Sequence, residues 1–183
     1  NACETFGIKK PDFVLSKEPE RSTKFWSKIN RNSIFWFLFM ILKIRRLISK
    51  IRPRYIIYHG DTMSTAAASI GSSRLLNLLK GWKSVHLEAG LRSGSLFEPF
   101  PEEISRIISD RFSDILFAVS ELSEKNLREY KNNKKVINVG NTIVDSAMIS
   151  YEKARKMKFE KPKGEYVLIN IHRHENLNSA ERL

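Results

Sequence analysis

Short apolar runs, polar turns and stretches of helical periodicity follow one another along most of the chain. Residues 55–58 and 85–87 are apolar runs that each stop at a carboxylate-bearing turn, Gly60-Asp61-Thr62 and Glu88-Ala89-Gly90. Each run predicts a buried strand. Between them residues 63–79 carry Ala66, Ala67, Ala68, Leu75, Leu76, Leu78 and Leu79 and stop before Gly81, the pattern of a helix with a glycine stop. A strand-helix-strand unit of this kind has parallel strands and binds ligands beyond their carboxyl ends, where Asp61 and Glu88 fall. The pattern then repeats. Strands are predicted at 115–119, 135–139 and 166–171, with helices from Ser120 to about Tyr130 and from Ile143 to about Lys158. A helix opening Pro101-Glu102-Glu103 shows Ile104, Ile107, Ile108 and Phe112 on one face, and its two carboxylates suit the positive end of the helix dipole. The loop over 90–101, with two glycines and two prolines, is expected to fold over the strand ends. The class predicted is α/β, a parallel sheet with flanking helices.

Upstream, residues 13–15 suggest a short strand and residues 17–32 a polar loop with a helical turn. Residues 34–51 form the most apolar element, a helix. Lys43, Arg45 and Arg46 interrupt it well short of the roughly 20 residues that a bilayer span needs. Its later apolar positions, Ile44, Leu47, Ile48 and Ile51, follow i, i+3, i+4, i+7 spacing, with basic residues on the other face. The favoured reading is a helix packed on the sheet; its rival is a basic amphipathic helix on an anionic membrane surface.

Charge sharpens this picture. The 183 residues carry 32 Lys and Arg against 20 Asp and Glu, net +12, and the segment 21–54 contains basic residues but no acidic one. Nucleic-acid binding is disfavoured, because no recognisable module is present and the aromatics cluster at Phe35, Trp36, Phe37 and Phe39 instead of interleaving with the cations. A hydrophobic share of 42% excludes a disordered chain. The single cysteine, Cys3, excludes an internal disulfide framework and fits a reducing compartment, and no signal-peptide pattern opens the chain.

Five motifs in order, HGDTMST, HLEAGLRSG, PFPEEISRIISD, VGNTIVDS and HRHEN, resemble the non-hydrolysing UDP-N-acetylglucosamine 2-epimerases. The resemblance implies two Rossmann-like domains facing a cleft, as in the glycosyltransferase-B type, with residues 1–160 forming most of the first and residues 161–183 a linker and the start of the second. It covers about the middle half of such an enzyme, without the family's opening Gly-Thr-Arg-Pro-Glu turn, so the chain is expected to be a fragment, inactive alone. It departs from the family at 17–32, which is charged where the family has a glycine-containing loop.

The implied reaction interconverts UDP-N-acetylglucosamine and UDP-N-acetylmannosamine through 2-acetamidoglucal, with no nicotinamide, no metal and no other cofactor. Asp61, Glu88 and Glu102 stand at the family's catalytic positions. His172 matches its essential histidine, beside the diphosphate. Arg92 and Arg106 are carried over as structural or substrate-orienting groups, Arg173 as part of a nucleotide or effector site, and Asn141, Glu175 and Asn176 as substrate-binding residues. A cytoplasmic enzyme, homodimeric at full length, is expected.

Without the resemblance the same residues have plainer readings. Glu102 and Glu103 would only compensate a helix dipole, and His59 and His86 would be hydrogen-bonded core histidines. His172 and His174 would project oppositely from a strand, and no His-Glu-x-x-His helix supports a metal site. No G-x-G-x-x-G is present for a dinucleotide and no G-x-S-x-G elbow for a serine nucleophile. Two rivals remain, a hydrolysing epimerase that releases UDP and a non-enzymatic chain with a basic interaction helix.

Overall fold

The computed structural model describes residues 7–16, 31–78, 81–96, 99–157 and 163–169. Two compact units are distinguished, one of Asn1–Arg21 with Ile29–Thr142, the other of Ser22–Lys28 with Ile143–Leu183.

The first unit is built on four short strands, β1 (Tyr55–His59), β2 (Lys83–Ala89), β3 (Ile115–Ala118) and β4 (Lys135–Asn138), all parallel and in the order β1-β2-β3-β4. Tyr55 lies beside Lys83, Val85 beside Ile115, and Ile115 beside Lys135. The helix α1 (Arg31–Ile51) precedes β1; α2 (Met63–Ser72) crosses from β1 to β2, and α3 (Glu102–Phe112) from β2 to β3. The short α4 (Glu121–Asn126) and a 3-10 turn, Arg128–Tyr130, lead into β4. Each crossover returns the chain to the same end of the sheet, so all four strands end on the opposite side together. The expected α/β class with a parallel, helix-flanked sheet is what forms.

Two clusters hold the unit. Ala89, Leu116, Ala118 and Leu127 are fully buried, with Tyr130 and Val136 against them. Gly90, at φ +81°, sits where a Cβ would come within 2.3 Å of the Ser123 carbonyl oxygen, so only glycine lets α4 approach the end of β2. Met40 and Ile41 of α1 pack on Ala67 of α2. Small residues permit this approach, since a Cβ on Gly71 would stand 3.0 Å from the Ile41 carbonyl oxygen. Trp36 and Phe37 border the cluster, while Phe35, Leu38, Phe39 and Leu42 face away, exposed.

Five expectations change. The run at 55–58 is not a buried strand, since Tyr55 and Ile57 of β1 are exposed, and α1 packs on α2 in place of the sheet. The helix read over 63–79 stops at Ser72, because polar side chains capture its last carbonyls. The Ser73 hydroxyl donates to the Ile70 carbonyl at 2.7 Å, and Asn77 Nδ2 donates to the Gly71 and Ser73 carbonyls at 3.0 Å each. Leu75 and Leu78 are left exposed. On α3 the buried residues are Glu103, Ser105, Ser109 and Asp110, with the isoleucines only half-buried, because the helix packs beside the small residues of α2 and holds a polar network. Residues 13–15 and 166–169 pair with no strand among the described residues; Asn170 and Ile171, the end of the last predicted strand, lie outside them.

The helix α5 (Thr142–Lys156) follows β4 in the chain, and from Ile143 onward it belongs to the second unit.

Candidate active site

The carboxyl ends of the strands gather the acidic groups singled out in the sequence. Asp61 follows β1 in the turn that begins α2, whose N-cap Thr62 accepts a hydrogen bond from the Thr65 backbone N–H at 3.2 Å. Glu88 sits near the end of β2 at φ +67°, in the left-handed region, where the register against β3 breaks between Leu87 and Ala89. A break of this kind re-aims a side chain, and a non-glycine residue in that conformation costs on the order of 1–3 kcal/mol. Its carboxylate lies 3.6 Å from His59 Nε2 and would be within 3.5 Å of a Cβ on Gly60. The ends of β1 and β2 thus bring Asp61 and Glu88 to adjacent turns. Thr142 Oγ1, in the turn after β4, lies 3.4 Å from the same His59 nitrogen.

The first turn of α3 adds Glu102 and Glu103. Glu103 is 2% exposed and its Oε2 accepts from the Ser93 backbone N–H and from Arg106, both at 3.1 Å. Arg106 also donates to Asp61 Oδ2, so one guanidinium ties the β1 turn to α3 and to the loop after β2. Glu102 differs. Its Oε2 is shut from solvent and has no hydrogen-bond partner among the described residues. A buried carboxylate oxygen left unpaired forfeits interactions worth on the order of 1–3 kcal/mol, a deficit that natural structures tolerate mainly where a bound group or a reaction uses it.

Beneath these groups lies a second layer. Asp110 is fully buried and accepts from Arg92 at 2.8 Å and from the Gly90 backbone N–H at 3.3 Å, while His86 Nδ1 stands 2.7 Å from its other oxygen. His86 Nε2 donates to the Gly60 carbonyl at 2.9 Å, since a carbonyl has no proton to give. The chain Arg92–Asp110–His86–Gly60 therefore fixes the turn that presents Asp61. Tyr58, its ring tilted at 35° to that of His86 with centroids 5.9 Å apart, bonds its hydroxyl to Ser113, and burial pushes its pKa up to about 12.

The structure thus brings Asp61, Glu88, Glu102, Arg92 and Arg106 to one end of the sheet, with Asn141 in the turn after β4. His172, Arg173, Glu175 and Asn176 lie outside the described residues. Asp110 and Glu103 were passed over as partners in the sequence. The signal was their spacing with Arg106: positions 103, 106 and 110 fall at i, i+3, i+7, a polar stripe on a helix read for its isoleucines. His86 is the bonded core histidine that the plainer reading describes, and His59 is half-exposed beside Glu88. No group of three or more His, Cys, Asp or Glu among the described residues is placed to hold a metal ion.

The model of a family described as UDP-N-acetylglucosamine 2-epimerase matches residues 2–183. The chain is 35% identical over 150 residues to a UDP-N-acetylglucosamine 2-epimerase homolog of Methanococcus maripaludis, which covers 79% of this chain and 40% of that protein. It is 31% identical over 183 residues to the UDP-2,3-diacetamido-2,3-dideoxy-D-glucuronate 2-epimerase of Pseudomonas aeruginosa, covering 98% and 47%. Among solved structures, UDP-GlcNAc 2-epimerase from Neisseria meningitidis, bound to UDP-GlcNAc, superposes with a TM-score of 0.66 at 30% identity over 83% of this chain and 38% of that one. The Methanocaldococcus jannaschii UDP-GlcNAc 2-epimerase gives 0.65 at 28% identity, over 85% and 39%. The sheet is therefore a Rossmann-like layer of the glycosyltransferase-B type, and the chain spans less than half the length of these relatives.

Proposed function

Because the chain belongs to the UDP-N-acetylglucosamine 2-epimerase family, we propose that the whole protein interconverts UDP-N-acetylglucosamine and UDP-N-acetylmannosamine without hydrolysis. The family match over residues 2–183 carries this proposal, and the gathering of carboxylates at the strand ends supports it. The hydrogen on C2 of the sugar is not beside a carbonyl, so removing it as a simple proton would leave a poorly stabilised carbanion. Elimination avoids this. The C2–H and C1–O bonds break, a C1=C2 double bond forms, and UDP departs with the C1 oxygen. UDP then adds back to C1 as a proton reaches C2 from the opposite face. No net oxidation occurs.

Such a scheme needs an acid and a base on different faces of the sugar and cations for the departing diphosphate. In our reading Asp61, Glu88 and Glu102 are the acid/base groups. Glu102 enters the list with a sequestered, unpaired oxygen, Asp61 with its carboxylate already held by Arg106, and Glu88 with a carboxylate aimed by the break in β2. Arg106 and Arg92 orient the carboxylates and the substrate. His172 serves the diphosphate from a second domain beginning after residue 160, with Arg173, Glu175, Asn176 and Asn141 completing the nucleotide-sugar contacts. The working enzyme is a cytoplasmic homodimer, and residues 1–183 alone are inactive.

The test is solvent exchange. The whole protein, turned over in deuterium oxide, must place deuterium at C2 of the epimerised sugar; retention of the original hydrogen overturns the mechanism. Asp61→Asn, Glu88→Gln and Glu102→Gln keep size while removing titration, and each is expected to lower kcat by about 100-fold or more. A variant with ordinary turnover removes that residue from the acid/base list. Free N-acetylmannosamine together with UDP among the products would show the hydrolysing reaction instead. The match to the Pseudomonas protein over nearly the whole chain favours a second substrate, a UDP-2,3-diacetamido uronate, with the same chemistry at C2. Comparing kcat/KM for the two nucleotide sugars separates these readings.

A further inference from the structure

In a parallel sheet every strand is entered from one end, so the residues that precede the strands converge on the side opposite the carboxylates. On that side a cavity of about 960 Å³ opens between the end of α2, the end of α3 and the turn before β4. Six cations line it: Arg74, Lys83, Arg111, Lys131, Lys134 and Lys135. The one carboxylate in its wall, Asp114, is engaged from the inside, accepting from the Ser84 backbone N–H at 2.8 Å and the Ser84 hydroxyl at 2.9 Å.

Two of the cations have ordinary work. Lys134 donates to the Asp110 carbonyl at 2.7 Å and to the Arg111 carbonyl, completing the end of α3 against its negative dipole, and Lys131 pairs with Glu124 at 2.7 Å. Arg74, Lys83, Arg111 and Lys135 have no acidic partner among the described residues. Four positive groups that lack an acidic partner among the described residues surround one concavity, where they repel one another and focus a positive potential into it. Asn132 and Asn133 add neutral residues with hydrogen-bonding side chains to the same wall. The volume is that of a site for a small molecule, and a concavity suits a compact ligand better than the flat face of a bilayer.

We propose that this concavity is an anion site for a soluble ligand with two or more linked phosphoryl groups. Strand β2 separates it from the candidate active site: Lys83 opens the strand and Glu88 stands near its other end, about 17 Å away at the rise of an extended chain. The proposal is independent of the epimerase reaction.

Calorimetric titration of the 183-residue chain with inorganic tripolyphosphate tests it. One saturable site is expected, with affinity at least about 30-fold weaker in the double variant Lys83→Gln/Lys135→Gln and about tenfold weaker in Arg111→Gln. The double variant Arg45→Gln/Arg46→Gln on α1 removes the same charge outside the cavity and should bind within twofold of the unaltered chain. Thermal melts of each variant establish that it is folded, and Arg74→Gln replaces any that is not. Equal loss in the cavity and α1 variants would show a response to net charge alone and overturn the proposal. So would absence of saturable binding, or orthophosphate binding as tightly as tripolyphosphate. Phosphatidylserine vesicles that bind the chain through Lys83 and Lys135 while tripolyphosphate does not would reassign the surface to a membrane.

Discussion

Asp110 shows how much one buried side chain can carry. It joins Arg92, His86 and the Gly90 amide, and through His86 it reaches the Gly60 carbonyl. Asp110→Asn keeps the shape but removes the charge that faces Arg92, leaving a partly buried guanidinium without its counter-ion. A destabilisation of about 3 kcal/mol is expected, read as a fall in the urea midpoint at unchanged slope. Tyr58 gives a prediction in pH. With its folded pKa pushed up to about 12 by burial, against 10.0 for the ordinary group, the unfolded chain loses this proton first as pH rises. Its contribution to stability is complete below pH 10 and is lost between pH 10 and about 12, on the order of 2–3 kcal/mol. Tyr58→Phe should flatten that part of the stability profile. An unchanged alkaline slope would show that the hydroxyl is not the group responsible.

Elements meet here through small residues more than through large ones. The α1–α2 contact depends on Ala67 and on the missing side chain of Gly71, which faces the Ile41 carbonyl at 3.0 Å from where a Cβ would stand. Gly71→Leu must push α1 away or distort its backbone, and a loss of about 2 kcal/mol is expected in equilibrium unfolding. Leu78→Ala, at a position 88% exposed beyond the end of α2, should change stability by less than about 0.5 kcal/mol. A comparable loss in both variants would mean that the α1–α2 contact is not close-packed. The helix α3 follows the same logic with a different payload: serines let it lie close to α2 while its acidic and basic stripe, 103, 106 and 110, is held inside.

At the scale of the molecule, apolar exposure and net charge act in opposite directions. Among the described residues strand β1 is an edge of the sheet, with Tyr55 and Ile57 exposed, and α1 presents Phe35, Leu38, Phe39 and Leu42 to solvent. An open strand edge and an apolar helix face promote association, whereas a charge of +12 opposes it. Salt screens the repulsion without weakening apolar contact. Raising sodium chloride from about 50 to about 500 mM should therefore shift the 183-residue chain to larger species in sedimentation velocity, the Debye length falling several-fold over that range. A monomer at both salt concentrations would show that these surfaces do not associate. Among the described residues no helix is long and apolar enough to cross a membrane.

The alternation of apolar runs with carboxylate- and glycine-bearing turns was sufficient to read the parallel α/β sheet and to place Asp61 and Glu88 at its carboxyl ends. Strand period and turn chemistry are local properties, and crossover handedness leaves little choice once they are known. The end of α2 was not legible in that way, because leucines at 75, 76, 78 and 79 continue the helical pattern past the point where Ser73 and Asn77 take its carbonyls. Nor was the inside of α3: its isoleucines look like the buried face until the turns after β1 and β2, with His86 of β2, supply partners for Glu103, Arg106 and Asp110. The network Arg92–Asp110–His86–Gly60 and the cluster of cations at the strand entries join residues distant in sequence. The sequence determined which groups were available at each turn; only the tertiary structure decided which of them touch, because a hydrogen bond across the sheet depends on register and helix packing that no local pattern records.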